Sequence, residues 1–240
     1  MARHNDSVER PRRFYAHVDV APVEAGFAVR LDGRTPKSPE GRLLVLPTQA
    51  LAELSAEEWA SQQQYVLPPT MPATRLAWTV IDRTAGARAG LAAEVARFAG
   101  SDLLCYFAEG PDQLVRRQAE QWGPVVEWAG RELGLSFHRA QGILHRPQPE
   151  ATLQRVEALA AEADDYTLTG LAFGAALFGS AILAFALQRG HVDAKKAFDL
   201  SRLDETYQEE TWGVDAEAAE RAEAMAIEAQ MLGRWFAALR

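Results

Sequence analysis

Phe27-Ala28-Val29-Arg30-Leu31, then Asp32-Gly33, and later Leu43-Leu44-Val45-Leu46-Pro47-Thr48, are the residues whose reading decides the fold. The first run alternates apolar and polar side chains, as a half-buried strand does, and Asp32-Gly33 is a strong two-residue hairpin turn. Arg34 to Lys37 is expected as a short return strand and Ser38-Pro39-Glu40-Gly41 as a second turn. Leu43 to Leu46 then reads as a further strand that Pro47 ends, and an earlier strand over Phe14 to Val20 would pair with these. At Thr48 the period changes to a helical one, through Leu51, Leu54 and Trp59 to about Gln64.

Working outward, Pro68-Pro69 and Pro72 force an extended connector before Thr74 to Arg83. Helices are expected at about 90 to 107, 112 to 134, 149 to 163, 166 to 189, 193 to 211 and 215 to 239. Thr48, Asp112 and Asp215 read as N-caps, and Gly134 and Gly190 as helix-ending glycines. Gly123-Pro124 should kink or split its helix. The expected class is therefore α+β, a small, mostly antiparallel β domain followed by a larger all-helical domain. The expected organisation is a flexible tail over 1–12, a β-rich domain with a covering helix over 13–80, and a helical domain over 81–240.

Composition narrows the function. The 240 residues are 48% hydrophobic and 24% charged, in the ordinary globular band. The single cysteine, Cys105, excludes an intrachain disulfide and suits a reducing compartment; its apolar neighbours make it a buried small hydrophobe. A net charge of −8 argues against a nucleic-acid partner. Residues 1–47 carry a net of +2, whereas residues 200–228 set nine carboxylates against Arg202 and Arg221, the strongest local field in the chain. No phosphate-cradling loop, dinucleotide fingerprint or nucleophile elbow is present, so no cofactor is expected. The histidines His4, His17, His138, His145 and His191 never fall at i, i+4, so no metal face is expected.

Residues 170–187 form a charge-free run in which Gly and Ala make up half the positions. It reads as a helix buried among helices, with Gly170, Gly174 and Ala181 permitting close approach, rather than as a membrane span. The N-terminus lacks a secretory or organelle-targeting pattern, so the expected location is a bacterial cytoplasm.

One segment carries a candidate site, Leu203-Asp204-Glu205-Thr206-Tyr207-Gln208-Glu209-Glu210-Thr211-Trp212-Gly213. On a helix Leu200, Leu203 and Tyr207 share one stripe, while Glu205, Gln208, Glu209 and Trp212 share another, roughly opposite. If the first stripe faces the core, the second presents an aromatic beside carboxylates and an amide, the residue mix of a recognition patch. The other arrangement folds Trp212 back into the core and leaves the carboxylates merely solvated; periodicity leaves both open. Two rival classes remain beside it. One is a small-molecule enzyme using Asp204 with Glu205, or Asp164 with Asp165, although adjacent helical residues point about 100° apart. The other is a membrane-associated factor using 170–187.

Several short pieces match a known family in order and spacing: Arg13-Phe14-Tyr15, Leu31-Asp32-Gly33-Arg34 with Thr35-Pro36, and Leu46-Pro47 to Glu58-Trp59. They continue through Met71-Pro72, Ile81-Asp82-Arg83, Asp102-Leu103-Leu104-Cys105-Tyr106, Gln118 to Trp122 and Gly179-Ser180, and end at Asp204-Glu205, Gln208 and Trp212-Gly213. From about residue 13 to 215 the chain thus resembles the assembly chaperones that attend the alpha subunit of the F-type ATP synthase catalytic head, found in mitochondria and alphaproteobacteria. The resemblance implies a protein without catalytic activity that binds the unassembled alpha subunit and is released when the ring of subunits forms. It implies a small β domain followed by a helical one. It also implies that the family's functionally important acidic residue falls on Glu205, with Gln208, Glu209 and Trp212 as its neighbours in the partner-binding patch.

Overall fold

The computed structural model describes residues 11–142 and 146–240; most of the expected tail, together with His4 and His145, lies outside them. The chain divides into two compact units, Met1–Asp82 and Arg83–Arg240. Pro11 and Arg12, expected in the tail, are already tied down: Val66 N–H donates to the Pro11 carbonyl at 2.9 Å, and Arg12 bridges Tyr65.

In the first unit, β1 (Val18–Val23) and β2 (Gly26–Leu31) pair antiparallel from Val18↔Leu31 to Val23↔Gly26, and β3 (Val45–Leu46) adds on the far side of β2. The first strand starts later than Phe14 because the Asp32 carboxylate intercepts the chain. It accepts from Ala16 N–H at 3.0 Å and His17 N–H at 2.8 Å, so ladder pairing begins only at Val18. Asp32-Gly33 makes the expected turn, with φ of 48° and 80° and a double Leu31–Arg34 bond. The expected return strand does not form. Pro36 has no N–H to offer a ladder, the Pro36 carbonyl accepts from Leu44 N–H instead, and the chain turns again over Ser38–Arg42. Leu43 makes one isolated bridge to Lys37, which leaves only two residues of the third strand.

Helix α1 (Gln49–Ser61) starts where Thr48 accepts from Leu51 N–H at 3.1 Å and lays Leu51, Leu54 and Trp59 onto the sheet. Helix α2 (Pro72–Thr79) lacks a local cap; the Glu58 carboxylate of α1 supplies one, accepting from Ala73 and Thr74 N–H at 2.7 and 2.8 Å. A π-helical turn over Val80–Thr84 follows.

The second unit is mostly helical: α3 (Ala85–Gly100), β4 (Tyr106–Phe107), α4 (Asp112–Leu133), β5 (Ala140–Gln141), α5 (Glu150–Ala161), α6 (Asp165–Phe178), α7 (Ala181–Gln188), α8 (Ala194–Ser201), α9 (Leu203–Trp212) and α10 (Ala216–Ala238). Trp122, Phe185, Leu168 and Trp235 lie at the centre of its core. The short parallel pair β4–β5 is an addition to the expected helices.

Five local expectations are corrected. The helix expected at 90–107 ends at Gly100, and the buried Asp102 caps a separate 3-10 turn over Leu103–Cys105. The helix expected over 166–189 is two: Gly179 ends α6 in the left-handed region at φ 63°, and Ser180 caps α7 by accepting from Leu183 N–H. Likewise 193–211 breaks at Arg202, whose φ and ψ of −117° and 21° leave the helical region. Helix α4 runs unbroken through Pro124, and the residue before it is Pro111, so Asp112 sits in the first turn rather than at the cap. The 170–187 segment is mostly buried, as expected, with Ala176 exposed, but as parts of α6 and α7 with the Gly179-Ser180 joint between them.

Candidate partner-binding surface

Helix α9 is held by its inner face. Leu203 and Tyr207 are buried, and so is Leu200 just before it on α8. From α4, the Trp122 indole N–H donates to the Leu200 carbonyl at 2.9 Å, and the fully buried Gln118 amide donates to the Asp204 carboxylate at 2.7 Å. Gln118 in turn accepts from Ala108 N–H at 2.8 Å. Arg117 lies over the Tyr207 ring and grips Glu210 with both nitrogens, at 2.8 and 3.0 Å. Burial pushes the Asp204 carboxyl up, whereas the Arg117 hydrogen bonds hold Glu210 below the ordinary carboxylate range.

With that face committed, the other points to solvent. Trp212 is 77% exposed, which closes the alternative in which it folds into the core. Glu205 and Gln208 are exposed, and among the described residues the Glu205 side chain makes no hydrogen bond or ion pair. Glu209 is only half free: Arg202 Nη2 meets its Oε1 at 2.6 Å. The four residues line one open groove of roughly 470 Å³, whose other wall is the start of α10, including Ala218, Arg221 and Met225. Sequence periodicity missed that second wall, because no helical period tells which residues beyond the turn at Gly213 will face α9 across a groove.

The rival chemistry finds no support in these positions. Asp204 turns inward to Gln118 while Glu205 turns out. Asp164 caps α6, accepting from Tyr166 and Thr167 N–H at 2.9 and 3.0 Å, and Asp165 pairs with Arg88. Neither couple converges on a shared ligand. Cys105 is buried with its thiol pushed up, which suppresses the reactive thiolate. Among the described residues, no helix is long and apolar enough to cross a membrane.

Residues 12–130 match the family model of the ATP12 chaperone protein. The crystal structure of Atp12 from Paracoccus denitrificans shares 39% identity and superimposes with a TM-score of 0.88, over 96% of this chain and 99% of that one. The chain belongs to the ATP12 chaperone family. A mutant form of the same Paracoccus protein matches equally, and Atu1473 from Agrobacterium tumefaciens shares 38% identity with a TM-score of 0.90, over 96% of this chain and 87% of that one. The mitochondrial protein atp12 of Schizosaccharomyces pombe is 26% identical over 215 residues, 84% of this chain and 74% of that relative. As a member of the ATP12 family this protein is an assembly chaperone, not an enzyme, and the small antiparallel sheet followed by helices is the fold of the solved Atp12 structures.

Proposed function

We propose that this chaperone of ATP synthase assembly binds the unassembled alpha subunit of the catalytic head through Glu205, Gln208, Glu209 and Trp212, and leaves when the ring of subunits closes. An isolated ring subunit exposes apolar interface that its neighbour would cover, and such surface drives aggregation. A temporary cover gains affinity from a few anchors and steering charges rather than from a large permanent interface. The observation that carries the reading is Trp212, 77% exposed beside the unpaired carboxylate of Glu205 on a helix whose opposite face is fastened by α4. A tryptophan in that position costs solubility unless it meets a partner. Bacterial relatives such as Paracoccus Atp12 support the bacterial cytoplasm as the place of action.

The test is capture of purified alpha subunit alongside thermal melting. Glu205→Lys should melt within a degree or two of the parent, since an exposed charge change shifts stability by no more than about 0.5 kcal/mol, yet lose capture. Normal melting with normal capture removes Glu205 from the interface. A parent that captures no alpha subunit removes the reading altogether.

A further inference from the structure

Helix α10 is unevenly packed. It spans 23 residues, about 34 Å at 1.5 Å per residue, yet its buried residues, Ala229, Met231, Leu232, Trp235 and Phe236, all lie in its final turns. The first half, Ala216 to Glu228, contributes none, although it carries Met225 and Ile227. A helical stretch of that length draws little stability from its own backbone.

Across the groove the two helices present stripes with the same spacing. Glu205, Gln208 and Trp212 on α9 stand at i, i+3 and i+7, and so do Ala218, Arg221 and Met225 on α10. Each stripe is two turns long, the geometry into which the ridge of a third helix packs. The charge selects its chemistry. Arg202 and Arg221 are already paired with Glu209 and Glu217, while among the described residues Glu205, Glu220 and Glu223 have no ion-pair partner. The corner therefore keeps an unbalanced negative field, which disfavours a second copy of this acidic chain.

Resting on the proposed function and going beyond it, we propose that the groove between α9 and the unpacked half of α10 receives a basic amphipathic helix of the partner. Its apolar ridge lies between Trp212 and Met225, and a lysine or arginine reaches Glu205.

The probe is a synthetic leucine–lysine peptide with leucine at i, i+3, i+4 and i+7, compared with a scrambled peptide of equal composition and with a glutamate-for-lysine version. Trp212 supplies the signal, since the other tryptophans are buried or half-buried. The patterned basic peptide should shift Trp212 emission to shorter wavelength and gain helicity, and Met225→Asp should weaken it by about tenfold or more. Glu205→Lys should weaken it as well, whereas Glu157→Lys, the same charge change at an exposed site away from the groove, should leave affinity unchanged. Equal binding of the scrambled peptide, or full binding by Met225→Asp, overturns the inference. So does a parent that sediments as a dimer which Met225→Asp dissociates, since the occupant is then a second copy. Capture of alpha subunit separates this inference from the reading beneath it. Loss with Glu205→Lys but not with Met225→Asp keeps the function and rejects the helix. Peptide binding by a parent that captures no alpha subunit keeps the groove and rejects the function.

Discussion

Asp102 holds its carboxylate fully enclosed, accepting from Ser180 Oγ at 2.7 Å and from Ile182 and Leu104 N–H at 3.0 and 3.2 Å. These bonds fasten the 3-10 turn at Leu103 to the start of α7. Enclosure outweighs them and pushes the carboxyl up from 3.8 to about 6. The folded state thus binds this proton more tightly than the unfolded chain does. The stability the proton contributes is fully present below pH 3.8 and is lost as pH rises through about 6. The unfolding free energy of the parent relative to Asp102→Asn, from urea titrations, should therefore increase as pH falls from 6.5 to 4; a difference that stays flat refutes the assignment. Gly26 is constrained differently. At φ 134°, a Cβ there would stand 2.4 Å from the Leu46 carbonyl oxygen, backbone that cannot move without breaking the β2–β3 pairing. Gly26→Ala should cost roughly 1–3 kcal/mol in urea unfolding, whereas Trp212→Ala, at an exposed site, should cost under about 0.5 kcal/mol.

Among the elements, the α6–α7 pair shows what small residues do. A Cβ at Gly174 would meet Leu232 Cδ2 at 2.9 Å and Ala184 Cβ at 3.3 Å, so α7 and α10 both press on α6 at that point. Gly174→Leu should overpack this junction and lower stability by roughly 1–3 kcal/mol by calorimetry; parental stability would refute the close packing. Burial of 170–187 was legible from the absence of charge, but its division was not. Gly179 could read as one more small residue of a continuous helix, and only the left-handed φ with the Ser180 cap makes it a joint. Pro124 misled in the opposite direction. It removes one backbone donor, but Trp122, Val125, Val126 and Trp128 around it are buried, and their packing keeps α4 helical through the break.

For the molecule as a whole, the second unit holds its own core: Trp122, Leu168, Phe185 and Trp235 all fall within Arg83–Arg240. We propose that residues 81–240 fold without the β-rich part, as a chain of that length can bury most of its apolar surface. The fragment should keep a helical circular dichroism spectrum and unfold in one cooperative transition; a broad, non-cooperative melt would show that the helices need the first unit.

By itself the sequence determined the α+β class, the sheet-to-helix change at Thr48, the shared stripe of Leu200, Leu203 and Tyr207, and the acidic character of residues 200–228. Each is a periodicity or a sum of charges, which a linear string carries in full. Tertiary structure alone decided which carboxylates are spent and which are free. Gln118 and Arg117 lie far from α9 in sequence, yet they take up Asp204 and Glu210 while Glu205 is left to solvent. It also decided that Trp212 stays outside and that α10 supplies the second wall of its groove. The physical reason is that burial and hydrogen bonding depend on neighbours brought in by chain folding, and no local period encodes which distant residue will arrive.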